Sequence, residues 1–178
     1  SDVSCARAMW EIEHSLGIFG SYYFRLSTID YPLMLEIAGA GGEASYHFEE
    51  IATVAKQKGL STKEQVYREM PYIQELFRHN LEQLRNKIGL PMRIVASHGD
   101  FVNRRLKAPN WLLLEDMSFR RDVGVELEVY DNIFMKYVTS RHADTHYPKF
   151  WQPTDPLAAI NNEEPVVYLL VHPRHWRV

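Results

Sequence analysis

The sequence predicts an α/β domain built on a parallel sheet, either open or closed into a barrel. Three observations lead there. Strand-like and helix-like runs alternate along the whole of the 178-residue chain, the pattern of a sheet whose strands are joined by helical crossovers. The last apolar run, PVVYLLV, has no polar alternation, as expected of a parallel strand covered on both faces. No repeat, linker or low-complexity tract interrupts the chain, so residues 1–178 read as a single domain.

In chain order, SCARAMWEIEHSLG sets Ala6, Met9, Trp10, Glu13 and Leu16 at three- and four-residue steps and stops at Gly17, which predicts a helix. The aromatic run IFGSYYFRL predicts a strand, and DYPLMLEIAGAGG predicts a short helix with Pro32 near its start. A second cycle follows in EASYH and FEEIATVAKQKG. A long helical run, STKEQVYREMPYIQELFRHNLEQLRNKIGL, is expected to break or kink near Pro71. MRIVAS predicts the next strand and leads into a charged loop. WLLLED then predicts a short helix, GVELEV a strand, YDNIFM a helical turn and KYVTS a strand, before PVVYLLV closes the series.

Composition narrows the function. With 46% hydrophobic and 24% charged residues the chain has the make-up of a globular domain able to bury a core. A formal net charge of −3 supplies no basic field for a polyphosphate backbone, so no nucleic-acid partner is expected. The one cysteine, Cys5, cannot form an internal disulfide. No stretch has the length of a membrane span and no signal pattern opens the chain, which together predict a cytoplasmic protein without a membrane span. The abrupt start, SDVSCARAM, leads us to expect further residues upstream. The charges of VYREMPYIQELFRHNLEQLRNK alternate along a helix surface and read as a solvated face, and His14 and His79 sit in similar helical settings.

In parallel α/β folds the working site forms at the C-terminal ends of strands. Three predicted strands each deliver a histidine there: EASYH ends on His47, MRIVASH on His98 and PVVYLLVH on His172. Imidazole at such a rim binds a metal through a neutral nitrogen or passes a proton near neutral pH. Asp2, Glu43, Glu49, Asp100 and Asp144 are the carboxylates at hand, and a mixture of histidine and carboxylate suits a catalytic divalent ion. No HExxH, GxSxG, Walker or GxGxxG pattern is present. Gly39, Gly41 and Gly42 follow a helix instead of opening one, against a phosphate loop.

The segments GGEASYHFEE, ASHG and VVYLLVHPRHW, in that order, resemble the polysaccharide deacetylases with the NodB homology domain, carbohydrate esterase family 4. They are most similar to the branch associated with surface-polysaccharide loci, with its GHEIGxHYE-like, SHG-like and HPxHW-like segments. AMWEIEHSLGIFGSYYF is similar to that branch's helix and second strand, so the resemblance runs from about Asp2 to Trp176.

The resemblance implies a distorted (β/α) barrel of the NodB type, TIM-like in outline and lacking part of its first strand. It also implies a divalent metal, zinc by preference, and the removal of N-acetyl groups from an amino-sugar glycan or glycan precursor. On this reading Asp2, at the end of a DxD-like motif, His47 and His98 hold the metal. His98 substitutes for a second family histidine whose place is taken by Ile51. His172 is the general acid toward the leaving amine, and Asp144, in RHADTH, orients it or touches substrate. Glu43 falls on the glutamate of the GHE-like segment, after a Gly42 that replaces the family histidine, and belongs to the catalytic set, orienting a neighbour. Glu49 stands behind His98 near substrate, and Trp151 and Tyr147 stack on sugar rings. Two alternatives remain open here: a carbohydrate-binding domain of the same fold that has lost its metal, and another metal-dependent amidohydrolase.

Overall fold

A computed structural model of the chain describes residues 2–145 and 148–176, with the side chains of all of these except Asp2 and Trp176. The residues group into two compact units, 19–130 and, by joining the two ends of the chain, 1–18 with 131–178.

The 19–130 unit is built on a four-stranded sheet in the order β1 (Ser21–Phe24), β2 (Glu43–Phe48), β3 (Ile94–Ser97) and β4 (Leu127–Glu128), parallel throughout. Helices α2 (Tyr31–Gly39), α3 (Glu50–Lys58), α4 (Lys63–Ile88), α5 (Phe101–Leu106) and α6 (Met117–Asp122) occupy the crossovers, with a 3₁₀ turn at Asn110–Leu114. Strands that follow one another in sequential order through right-handed crossovers place their helices on one face of the sheet. Tyr46 and Phe48 of β2 point to that face: the Phe77 ring of α4 lies 6.0 Å from Tyr46 and 5.1 Å from Phe48. Strand periodicity therefore turns Glu43, Ser45 and His47 to the opposite face. Leu33, Ile37, Ile51, Val54, Ile73 and Leu113 complete a core excluded from solvent.

The long helix departs from expectation at Pro71, where α4 runs on unbroken for 26 residues. Thr62 and Gln65 close a capping box at its start and Gly89 ends it in the left-handed conformation. Pro71 and Tyr67, the residue four positions earlier whose carbonyl loses its helical donor, are both exposed, so water can take over that carbonyl. The predicted charged loop after β3 contains α5, started by an Asp100 and Asn103 capping box. GVELEV contributes only the two residues of β4, and WLLLED forms the 3₁₀ turn.

The second unit holds α1 (Asp2–Ser15), α7 (Asn132–Met135), β5 (Ser140–Asp144), β6 (Trp151–Gln152), α8 (Leu157–Asn161) and β7 (Val167–Leu170), followed by a 3₁₀ turn at Pro173–Trp176. Its sheet has the order β6, β5, β7, with β5 parallel to β7 and antiparallel to β6. Trp10 of α1 is buried and stacks on His14 at 4.9 Å. KYVTS is displaced from the expected strand: helical hydrogen bonds continue to Val138, and the strand begins only at Ser140. PVVYLLV is also corrected. Among the described residues β7 pairs with β5 alone, and Val166 and Leu169 are 38% and 45% exposed, so its apolar run marks an edge strand. Among the described residues, no helix is long and apolar enough to cross a membrane.

Candidate functional site

Each unit gathers histidine and carboxylate at the end of its strands. In the 19–130 unit, His47 near the end of β2 and His98 just beyond β3 lie edge to face, 5.0 Å between ring centres. His47 Nδ1 stands 3.0 Å from the carbonyl oxygen of Ala96. A carbonyl only accepts, so Nδ1 carries the proton and Nε2 the lone pair. Burial, in first place, pushes the His47 pKa down to about 4, so the ring is neutral at physiological pH. His98 Nδ1 lies 3.2 Å from Glu49 Oε2, without the alignment of a hydrogen bond. Arg25 lies 3.6 Å from the same oxygen. The contact with His98 holds the Glu49 carboxyl below the usual carboxylate range, with burial opposing and the Arg25 charge assisting. The neighbouring Glu50 turns instead into the core, where the Tyr46 hydroxyl (2.5 Å) and the Asn80 amide (2.9 Å) donate to it.

The backbone carrying His98 is fixed from three sides. Its N–H donates to the Phe48 carbonyl at 2.8 Å, and its carbonyl accepts from the amide of Asn110 at 2.6 Å. The preceding Ser97 N–H donates to Glu128 Oε1 at 2.8 Å, while Glu128 Oε2 takes the Tyr130 N–H. Asn110 also accepts the Ala52 N–H, and both Asn110 and Glu128 are buried. Sequence reasoning missed these two residues. Their signal was a polar side chain set in otherwise apolar runs, Asn110 ahead of WLLL and Glu128 inside GVELEV.

Other expected members of this site lie elsewhere. Glu43 opens β2, four residues before His47, which at the rise of a strand is about 13 Å away. Burial raises its pKa, and it does not join the histidines. Gly42 has no space for any side chain: a Cβ there would lie 2.8 Å from Ile37 Cγ2 and 3.2 Å from the Gly20 carbonyl. Ile51 is fully buried in α3 as core. Asp100 lies close enough to Glu49 and His98 to share an ion with them. Its oxygens already bind Lys56 Nζ at 2.5 Å and cap α5 through the Val102 N–H at 2.8 Å. Asp2 belongs to α1 of the other unit, and its side chain lies outside the described part.

In the second unit Asp144, at the end of β5, is the centre. Its Oδ1 is 2.7 Å from His172 Nδ1 and its Oδ2 accepts the His172 backbone N–H, also at 2.7 Å. His175 Nδ1 approaches Oδ2 to 3.2 Å. The Asp144 side chain is 1% exposed and that of His172 41%. Burial pushes the Asp144 carboxyl up, but the side-chain and backbone donors of His172 and the two imidazole charges outweigh it and hold the carboxyl below its usual range. His142, buried on the same face of β5, binds the Thr154 carbonyl through Nδ1 and Ser140 Oγ through Nε2, both at 2.7 Å. Trp151 is half-buried in β6, in register with Asp144. It lines a cleft of about 550 Å³ with Lys149, Gln152, Pro153, Thr154 and Asp155. Tyr147 lies outside the described residues.

No family model matches the chain, and neither a curated protein nor a solved structure matches it.

Proposed function

We propose that the protein is a metal-dependent hydrolase that removes N-acetyl groups from an amino-sugar glycan or glycan precursor, with the distorted (β/α) barrel of the NodB type as its fold. The observation that carries the proposal is the Asp144 and His172 pair. A carboxylate closed off from water fixes Nδ1 of a half-exposed imidazole at 2.7 Å, so the ring exchanges its second proton at Nε2. That is the arrangement needed to protonate a departing amine, since an unprotonated amine is a very poor leaving group.

His47 and His98 fit a divalent ion by the chemistry of their donors. Each has Nδ1 against an oxygen, a carbonyl for His47 and a carboxylate for His98, as in imidazoles that bind metal through Nε2. His47 is also neutral, as ligation requires. Zinc is the proposed ion, and when bound it supplies polarisation of the acetamide carbonyl and a water of lowered pKa. Glu49 and Arg25 keep the His98 ring in place. His172 delivers the proton that releases the amino sugar, and Asp144 keeps its ring oriented.

A second reading, a carbohydrate-binding domain without metal, draws on Ile51, whose place in the core excludes a ligand at that position. Two measurements separate them. Acetate release from a panel of N-acetylated glycans is expected of the wild-type chain and is expected to fall at least about 10²-fold in His172→Ala. Elemental analysis is expected to find zinc, one equivalent of which is lost in His47→Ala. A metal-free protein that releases no acetate after zinc is added would establish the binding domain instead.

A further inference from the structure

The HPRH segment does more than supply one histidine. After His172, residues Pro173–Trp176 wind into a 3₁₀ turn, with the His175 N–H donating to the His172 carbonyl at 2.9 Å. Side chains three apart eclipse in such a turn, and the two imidazoles face one another with ring centres 5.1 Å apart. β5 runs parallel to β7 with Ala143 beside Leu170, so its next residue, Asp144, meets the start of the turn. One carboxylate and two imidazoles therefore converge, each offering an atom within 4.8 Å of the others.

We propose that Asp144, His172 and His175 form a second site for a divalent metal ion of the zinc class, made of residues separate from His47 and His98. Three atoms within 4.8 Å of one another leave a point no more than about 2.8 Å from each, and a shift of well under 1 Å per side chain brings them to zinc bond lengths of about 2.0–2.2 Å. Two imidazoles and a carboxylate are a donor set that zinc hydrolases use. The carboxylate is already anchored by the His172 backbone N–H at 2.7 Å, the outer support that ligating carboxylates require. Asp144 and His175 are 1% and 8% exposed at the side chain, so two ligands are shielded from water, while His172 at 41% leaves the ion a way in.

Occupation of this site has a consequence for His172. Without the ion, Nδ1 carries a proton toward Asp144 Oδ1. With it, Nδ1 gives its lone pair to the metal and the ring's one proton sits on Nε2. The metal bond then replaces the contact with Asp144 Oδ1 that orients the ring for proton delivery. Excess zinc thus turns off the acid. This inhibitory effect rests on the deacetylase reading; the metal site does not.

The test is zinc titration of the whole chain by calorimetry and equilibrium dialysis, with ¹⁵N spectra of the histidine rings. The expected result is about two equivalents bound by the wild type, with His172 and His175 nitrogens shifting as the second fills. His175→Asn and His172→Ala are each expected to lose one equivalent, and His47→Ala the other. His172 is half-exposed, so its variant serves even if His175→Asn fails to fold. Zinc uptake by His172→Ala equal to that of the wild type, or His172 nitrogens that do not shift, would overturn the site. Filling the second equivalent is expected to slow acetate release at least about tenfold. Two equivalents with no acetate release at any zinc level leave the site standing and remove the deacetylase reading.

Discussion

Asn110 makes its strongest claim through the groups it would leave behind. Its amide serves the Ala52 N–H and Asn103, both away from water, and the half-buried His98 carbonyl. Asn110→Ala is expected to destabilise the protein by about 2–4 kcal/mol, because stranded buried polar groups cost more than the lost bonds are worth. A urea melt measures it, and zinc affinity should fall about tenfold as His98 loosens. Gly42 makes the opposite case. Gly42→Ala places a methyl group 2.8 Å from Ile37 Cγ2 and 3.2 Å from the Gly20 backbone. A loss of about 1–3 kcal/mol by the same melt is the expected cost of overpacking. The histidine that the resembling family carries at this position has no room here, so the departure at Gly42 is steric.

At the scale of elements, α4 shows how far local rules reach. Proline in a helix interior predicts a break. The capping box at Thr62, the left-handed Gly89 and the buried row Val66, Ile73, Phe77, Leu81, Leu84 and Ile88 bind the two halves into one helix despite it. The proline remains as a local defect on the exposed side. Pro71→Ala is therefore expected to stabilise the chain by about 1–2 kcal/mol, the gain in helix propensity less the greater freedom of the unfolded chain. No change, or a loss, in the urea midpoint would mean that Pro71 itself is well accommodated. β7 teaches the same lesson in reverse. Its unbroken apolar run suits a strand covered on both faces, yet it has one strand neighbour among the described residues. Hydrophobicity reports what a strand tolerates, and pairing reports where it sits.

For the whole molecule, the clearest expectation concerns pH. His47 has its folded pKa depressed by burial to about 4, against an ordinary value of 6.5. Above pH 6.5 both folded and unfolded states hold it neutral, and the difference is nil. As pH falls from 6.5 toward 4 the unfolded chain takes up the proton first, so folding weakens, by a total on the order of 3 kcal/mol. Thermal melts of the zinc-free protein between pH 7.5 and 4.5 should show this decline. Zinc should offset it at the upper end of the range by binding the folded form, and His47→Gln should flatten it. A decline of equal slope in His47→Gln would assign the sensitivity to other groups. Trp111 is the only tryptophan of the 19–130 unit, which lets a variant lacking the other tryptophans follow that unit alone.

The sequence by itself determined the alternation of strands and helices, the parallel sheet and the positions of three histidines at strand ends. These depend on local periodicity and on punctuation by glycine, proline and capping residues, all of which act within a few positions of one another. It also paired His172 with Asp144 through the resemblance. Tertiary structure alone decided the rest. Which strands lie at an edge, that Ile51 is core, that Glu43 stands away from His47, and that Asn110 and Glu128 hold the His98 loop are consequences of register and crossover, set by residues up to 58 positions apart. The His175 contact is the sharpest case. Spacing alone offered two histidines in HPRH, but only the 3₁₀ turn beside the end of β5 brings both to one carboxylate.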